Sequence, residues 1–239
     1  MRWLPTCLAL AGCASAGPQN TIVGGLMDAG AGRDAAATLD GAGAEVTMVE
    51  TTSSDIALGR SFACVQPPLN YTLENSYYRV FTPADYGASG TLHVTHVDFA
   101  IDTATAATGG SQPGKINLAT YTGTPGAATL DLAQVTAIGS TDITIPDGGN
   151  THMAVPVTAD IAADAHLLVE LFIPDGFIPS QPGNQFLIGM SGDAERQPGY
   201  TRGPGCGTST PVTMQSVAGT ADAFAILMTV TGTASTTPN

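Results

Sequence analysis

Turn-forming residues divide this chain, from about residue 58 onward, into segments that are too short for most folds other than β-sheet folds. Clusters of Gly, Pro and Asp favour tight turns. They lie at 109–110, 125–126, 146–149, 174–176, 182–183 and 203–205. No sustained helical period appears between them, and only residues 160–165 tolerate a single helical turn. The sequence therefore predicts an all-β fold, a single β-sandwich over residues 58–233 with a jelly-roll or Ig-like topology.

Apolar alternation marks about eight to ten strands between these turns. The longest candidate covers residues 92–102, where the apolar positions change phase between Val94 and Val97. A slip by one residue turns side chains to the other face of a strand, so we expect a β-bulge near Thr95 and His96. The other candidate strands are 77–81, 115–121, 132–138, 142–145, 152–157, 167–173, 186–190 and 223–230.

A charged start and a short apolar run open the chain. Arg2 precedes the apolar run, and the run ends in Leu10-Ala11-Gly12-Cys13. This length and composition are typical of a secretory signal and too short for a membrane-spanning helix. The string resembles a bacterial lipobox, which implies a signal peptide over residues 1–12 and a lipidated first mature residue, Cys13. The alternative is an ordinary signal peptide that ends in an unrelated cysteine.

The lipobox resemblance also implies where the protein resides. Several acyl chains on Cys13 would anchor it to a membrane far more firmly than one chain. Ala14 and Ser15 follow the cysteine, and neither is an acidic residue of the kind linked to inner-membrane retention. We therefore expect a lipid-anchored protein of the bacterial cell envelope, at the outer membrane or the cell surface.

The segment after the cysteine has little apolar surface to bury. Residues 14–57 contain no aromatic residue and carry six acidic residues against Arg33. Such a composition is typical of a disordered linker. We expect residues 13–57 to form the lipidated cysteine and its tether, and residues 234–239 to form a disordered tail. The alternative for residues 45–49 is an edge strand of the sandwich.

The charge balance limits the choice of partners. Seven Lys and Arg residues stand against twenty Asp and Glu residues, for a net charge of −13 at pH 7. A phosphate-binding surface needs clustered basic residues, whereas these are scattered along the chain. Nucleic acid is therefore not expected as a partner. An acidic surface suits solubility outside the cell or loosely held divalent cations.

The four cysteines fit an exported protein. Cys7 leaves with the signal peptide and Cys13 carries the lipid, so Cys64 and Cys206 remain as one pair. We expect a disulfide between them in an oxidising compartment. The alternative, two ligands of a metal site, is weak because neither cysteine has a CxxC partner.

Several residues could in principle hold a cation. His93 and His96 lie three apart on a strand, which places them on opposite faces unless the bulge brings them together. Asp98 and Asp102 share a face of a regular strand, and the loops 146–150 and 174–176 offer further oxygens. Because Ca²⁺ needs six or more oxygens, no ligand set is defined and no cofactor is predicted. Structural Ca²⁺ remains an open alternative.

Catalytic signals are weaker still. The string around Ser191 lacks the second glycine of a G-x-S-x-G nucleophile turn. Glu170 lies within an apolar strand, on the face of Leu168 and Phe172, where a carboxylate needs a cationic partner or takes a raised pKa. Arg79 is the expected partner in a structural salt bridge. We predict no catalytic residue.

Short segments of the chain look like a known module. The segments 75–81, 97–102, 110–113, 168–170, 206–207 and 230–232 resemble a β-sandwich accessory domain of secreted bacterial multidomain proteins. The resemblance implies no catalytic residues. We expect a non-catalytic envelope lipoprotein that binds a protein, glycan or assembly partner, and the alternatives are a polysaccharide hydrolase and a structural surface component.

Overall fold

Two antiparallel β-sheets enclose a common apolar core. The computed structural model describes residues 43–218 and 225–235. Within these ranges, 3₁₀ turns lie at Pro83–Tyr86, Leu132–Gln134 and Pro204–Cys206, and an α-helix, α1, lies at Met214–Ala218. The strands in chain order are β1 (Ala44–Val49), β2 (Ser61–Phe62), β3 (Val65–Gln66), β4 (Tyr71–Thr72), β5 (Asn75–Phe81), β6 (Thr91–Thr105), β7 (Ser111–Tyr121), β8 (Val135–Pro146), β9 (Gly148–Ala162), β10 (His166–Ile173), β11 (Gln185–Ser191), β12 (Tyr200–Gly203), β13 (Thr208–Thr213), β14 (Ala225–Ile226) and β15 (Met228–Ala234).

The strand order confirms the predicted all-β sandwich. The seven-stranded sheet has the order β1-β15-β6-β11-β14, with β9 paired to β6 and β2 paired to β11. The six-stranded sheet has the order β13-β12-β5-β10-β7-β8, and β3 and β4 form a separate hairpin. Among the described residues, β8 pairs only with β7 and β9 only with β6. Strand β8 is therefore an open edge of the six-stranded sheet, and β9 leaves one edge open in the seven-stranded sheet.

Strand β10 shows how the sequence builds the core. It lies inside the six-stranded sheet, between β5 and β7. Successive side chains of a strand point to opposite faces, so alternate residues form an inner row. Burial of each such side chain contributes about 1.5–3 kcal/mol. The inner row of β10 consists of Leu167, Val169, Leu171 and Ile173. The same alternation directs Leu168 and Glu170 to the outer face.

The bulge expected in the longest strand is confirmed. The pairing of β6 with β9 shifts between Val94 and His96, and its pairing with β15 shifts at the facing position. The extra residue keeps both apolar sets of β6 in the core despite their different phases. Val94 and Val97 are accordingly both fully buried.

The predicted boundary between the tether and the sandwich at residue 57 is wrong. Ala44–Val49 forms β1 at the edge of the seven-stranded sheet. All six of its residues pair with β15. Val46 and Met48 are buried in the core. The alternative considered for residues 45–49 is thus the observed one, and two inward apolar side chains are enough for an edge strand.

Other differences concern element ends. Residues 132–134 form a 3₁₀ turn rather than the start of a strand, and β8 continues unbroken to Pro146. In place of a helical turn at 160–165, β9 extends to Ala162. In these segments, pairing along a long neighbouring strand outweighs weak local preference.

The disulfide between Cys64 and Cys206 is confirmed. Their Cα atoms are 5.8 Å apart, and the bond joins the start of the hairpin β3–β4 to the turn Pro204–Cys206. Cys64 is buried, and its backbone N–H donates to Asn75 Oδ1 at 3.1 Å. The proposed signal peptide, Cys13 and most of the tether lie outside the described residues. Within the described part, every helix is too short to traverse a bilayer.

Candidate ligand-binding cleft

A chain segment crosses the outer face of the six-stranded sheet and covers part of it. We call residues 127–134 the strap. The Tyr200 hydroxyl donates to Ala127 O at 2.9 Å, and the Leu130 N–H donates to Pro211 O at 3.1 Å. The strap buries a second apolar cluster, separate from the main core. Its members are Tyr78, Val80, Ala119, Tyr121, Leu130, Leu168 and Tyr200.

Beside the strap, the outer face of the sheet is open and forms a cleft of about 580 Å³. Its apolar lining comes from the strap, β8 and β10. These residues are Leu132, Val135, Ile138 and Leu168. Leu132 is 42% exposed, whereas Leu168 is buried. The volume is within the range of small-molecule sites, which are mostly apolar with a few placed polar groups.

A row of polar side chains crosses this face. The strand register places Glu170 directly between Asn117 on β7 and Tyr78 on β5. Asn117 Nδ2 donates to Glu170 Oε2 at 2.8 Å. Burial of Tyr78 and the neighbouring Glu170 carboxylate both raise the pKa of the Tyr78 phenol, which therefore remains protonated. The polar row offers a half-buried carboxylate, an amide and a phenol to a ligand.

Arg202 on β12 also lines the cleft. Its Nη1 lies 2.9 Å from Glu74 Oε1, and its Nε donates to Ser209 O at 3.1 Å. The pair with Glu74 balances the guanidinium charge and holds the side chain in place. Arg202 therefore contributes hydrogen-bonding capacity to the cleft rather than a free positive charge.

The expected partnership of Glu170 with Arg79 is wrong. In β5, Arg79 shares the inward phase of Tyr77 and Phe81, and it is fully buried. Its Nη1 lies 2.8 Å from Glu195 Oε2, and its Nε donates to Ile226 O at 3.1 Å. Glu170 and Arg79 thus lie on opposite faces of one sheet. Alternation alone could not identify the inward phase of β5, because Tyr78 and Val80 make the opposite phase equally apolar.

Glu50 completes the buried charge cluster around Arg79. The Tyr86 hydroxyl donates to Glu50 Oε1 at 2.6 Å, and the Gln197 N–H donates to Glu50 Oε2 at 3.0 Å. Burial raises the pKa of Glu50 and, separately, that of Glu195. Sequence reasoning missed Glu50 because it assigned the residue to the tether. We define Arg79, Glu50, Glu195 and Tyr86 as the buried cluster.

The candidate cation ligands are engaged elsewhere. His93 Nδ1 lies 2.7 Å from Asp160 Oδ1, and His152 Nδ1 lies 2.7 Å from Asp98 Oδ1. In the two candidate loops, carboxylates cap nearby backbone N–H groups. Asp147 accepts from Ala106 and Gly110, and Asp175 accepts from Phe177. Within residues 43–218 and 225–235, no three His, Cys, Asp or Glu side chains converge as metal ligands would.

Comparison with known proteins gives distant structural likenesses. No family model and no curated protein matches the chain. The chain is similar to the crystal structure of the cysteine protease and lectin-like domains of Cwp84, a surface layer associated protein of Clostridium difficile. Identity is 10% and the TM-score 0.45, over 69% of this chain and 33% of that chain. The chain is also similar to the structure of the Clostridial cysteine protease Cwp84 after propeptide cleavage. Identity is 10% and the TM-score 0.43, over 69% of this chain and 37% of that chain. The chain thus spans about a third of the protein it matches.

Proposed function

We propose that this chain is a non-catalytic binding module that holds a saccharide in the cleft. The observation that carries the proposal is the row of Asn117, Glu170 and Tyr78 on the floor of a cleft with apolar walls. A sugar ring combines hydroxyls, which suit a carboxylate and an amide, with C–H faces, which suit Leu132 and Leu168. Half-burial of Glu170 leaves part of its carboxylate open to a ligand.

The composition of the cleft supports the proposal of binding without turnover. Glycoside hydrolysis normally requires two carboxyl groups on either side of the scissile bond. Among the described lining residues, Glu170 is the sole carboxylate. Glu74 is committed to Arg202 at 2.9 Å. The proposal therefore assigns binding, not hydrolysis, to this face.

The proposed location is the bacterial cell envelope, with Cys13 as the lipid-anchored residue. The lipobox-like string supports this anchor. The disulfide between Cys64 and Cys206 is consistent with an oxidising compartment, where such bonds form and persist. A module held there through its N-terminus would present the cleft to extracellular or periplasmic glycans.

Titration calorimetry tests the proposed saccharide site. Purified full-length protein is titrated with xylo-, manno- and cello-oligosaccharides. We expect one series to bind, and Glu170→Gln to weaken that binding about tenfold or more, because a hydrogen bond to a charged acceptor contributes about 1.5–3 kcal/mol. Asp160→Asn, an exposed carboxylate on the other sheet, is the matched control. Equal affinity of wild type and Glu170→Gln would reject the cleft.

A second candidate function is assembly with another copy of the chain through strand addition. Strands β8 and β9 each leave one edge unpaired within the described residues. A groove of about 340 Å³ lies between them, lined by residues that include Ile143 and Val155. Open edges can accept a further strand. Light scattering should then show dimers that Thr144→Lys, an exposed edge substitution, abolishes; a monomer at all concentrations rejects this candidate.

A further inference from the structure

Tyr71 and Phe177 form an aromatic pair where two loops meet, with Phe177 exposed and Tyr71 half-buried. Their ring centroids are 5.7 Å apart and their planes are inclined by 53°. Phe177 is 55% exposed, although an aromatic ring of this size normally gains from burial. We call this pair the aromatic platform. An exposed ring on a fixed backbone is a feature of binding surfaces rather than of cores.

The backbone beneath the platform is held by several hydrogen bonds. Gly176 N–H donates to Thr72 O at 2.7 Å, and Thr72 N–H donates to Asn184 O at 2.9 Å. Phe177 N–H donates to Asp175 Oδ1 at 2.9 Å. A β-carbon at Gly176 would overlap the Asn184 carbonyl oxygen, so the loops approach as closely as only glycine permits. The platform is therefore ordered before any ligand arrives.

The chemistry of the platform favours a neutral ligand with apolar faces. Residues 65–73 and 174–184 contain no Lys or Arg, and their sole charged side chain is Asp175. Nothing there attracts the phosphates of nucleic acids or anionic lipids. Tyr71 is half-buried, and a tyrosine hydroxyl can both donate and accept a hydrogen bond. A pyranose ring offers a C–H face for the rings and hydroxyls for this phenol.

The platform lies at the end of the sheet that bears the cleft. Ile173 at the end of β10 pairs with Asn75 at the start of β5, and the loop with Phe177 follows β10 directly. Glu170 lies three residues before that end, about 10 Å along the strand. A saccharide that contacts both the cleft and the platform must therefore contain several sugar residues, whereas a monosaccharide can occupy only one of them.

We propose that Tyr71 and Phe177 form a second saccharide contact, which stacks on a pyranose ring and makes polysaccharides better ligands than single sugars. This inference rests on the proposed saccharide function of the cleft. The platform extends the site rather than repeating it. Stacking supplies affinity, and the polar row in the cleft supplies orientation.

Affinity electrophoresis of the full-length protein tests the proposal. The gels contain xylan, galactomannan, mixed-linkage β-glucan or dextran. We expect at least one polysaccharide to retard the wild type, and Phe177→Ala to weaken that interaction at least about fivefold, as loss of a binding hot spot does. Phe177→Trp should retain binding. Leu58→Ala, which removes a side chain that is 81% exposed, is the matched control and should migrate like the wild type.

The outcomes separate the platform from the cleft. Loss of retardation in Glu170→Gln but not in Phe177→Ala overturns the platform and keeps the cleft. The reverse pattern keeps the platform and overturns the cleft. Absence of retardation of the wild type in every gel overturns both. Phe177-dependent sedimentation with phosphatidylcholine vesicles, without retardation by any polysaccharide, assigns the aromatic pair to a lipid surface and also overturns the proposal.

Discussion

The two faces of the six-stranded sheet use acidic residues in opposite ways. On the inner face, Glu195 and Glu50 surround the buried Arg79, and main-chain groups occupy the remaining hydrogen-bonding positions. On the outer face, Glu170 is half-buried and takes a hydrogen bond from Asn117, beside an open cleft. A fully engaged charge cluster holds a structure together, whereas a partly engaged carboxylate has capacity left for a ligand. The number of hydrogen-bonding positions already occupied, and not the presence of a charge, distinguishes a structural carboxylate from one that can bind a ligand.

Removal of Arg79 should produce the largest effect. In Arg79→Leu, Glu195 and Glu50 lose their buried counter-charge, and breaking such a pair costs about 3–5 kcal/mol. Urea unfolding followed by circular dichroism measures the loss. Glu170→Gln is the control on the opposite face of the sheet. Loss of comparable stability in both variants would remove the distinction between the faces.

Titration of the two glutamates on the inner face should determine how the stability of the protein depends on pH. Burial raises the pKa values of Glu50 and Glu195. The folded protein therefore binds their protons more tightly than the unfolded chain does. The resulting stability is fully present below the ordinary glutamate pKa and is lost as the pH rises through the raised values. We expect Glu50→Gln to reduce the loss of stability as the pH rises above the ordinary glutamate pKa. The control is Glu45→Gln, an exposed position on β1, the strand that Glu50 directly follows. Unchanged pH dependence in Glu50→Gln would contradict the assignment.

The next prediction concerns the strap, which one tyrosine hydroxyl holds to the sheet. Tyr200→Phe removes the hydrogen bond to Ala127 O, which should cost about 1 kcal/mol of unfolding free energy. Since the strap forms a wall of the cleft, hydrogen exchange should accelerate at Leu130, whose N–H binds Pro211 O. Unchanged exchange at Leu130 would show that the strap does not depend on this contact.

Glu170→Gln should have the smallest effect on stability. The side chain is half-buried and the substitution conserves its shape, so we expect a change within about 0.5 kcal/mol. Saccharide affinity, by contrast, should fall as proposed above. Thermal unfolding and calorimetry on the same sample measure both quantities. A large stability loss with intact binding would make Glu170 a structural residue.

The sequence correctly predicted those features that depend only on residues close together in the chain. The all-β class, the bulge of β6 and the face of Glu170 all follow from strand alternation and turn residues, which a single sequence contains. The disulfide followed because only Cys64 and Cys206 remained as a pair. These features require no knowledge of which strands become neighbours.

The missed features depend on contacts between distant parts of the chain. Pairing of Leu130 with Pro211 creates the strap, and pairing of Glu50 with Gln197 completes the buried cluster. No local signal identifies such partners. The inward phase of Arg79 is a further case, because both phases of β5 are apolar and only the packing of the two sheets decides between them.

Strand β1 has a mechanical consequence for a protein proposed to hang from Cys13. The chain enters the domain at this strand, whose six residues all pair with β15. Tension transmitted along the strand axis loads the whole ladder in shear, so the bonds must yield together rather than one after another. Glu50 directly follows the far end of β1, where its hydrogen bonds from Tyr86 and Gln197 add further contacts. Strand β1 is thus the part of the sandwich that a pull from the proposed anchor would load first.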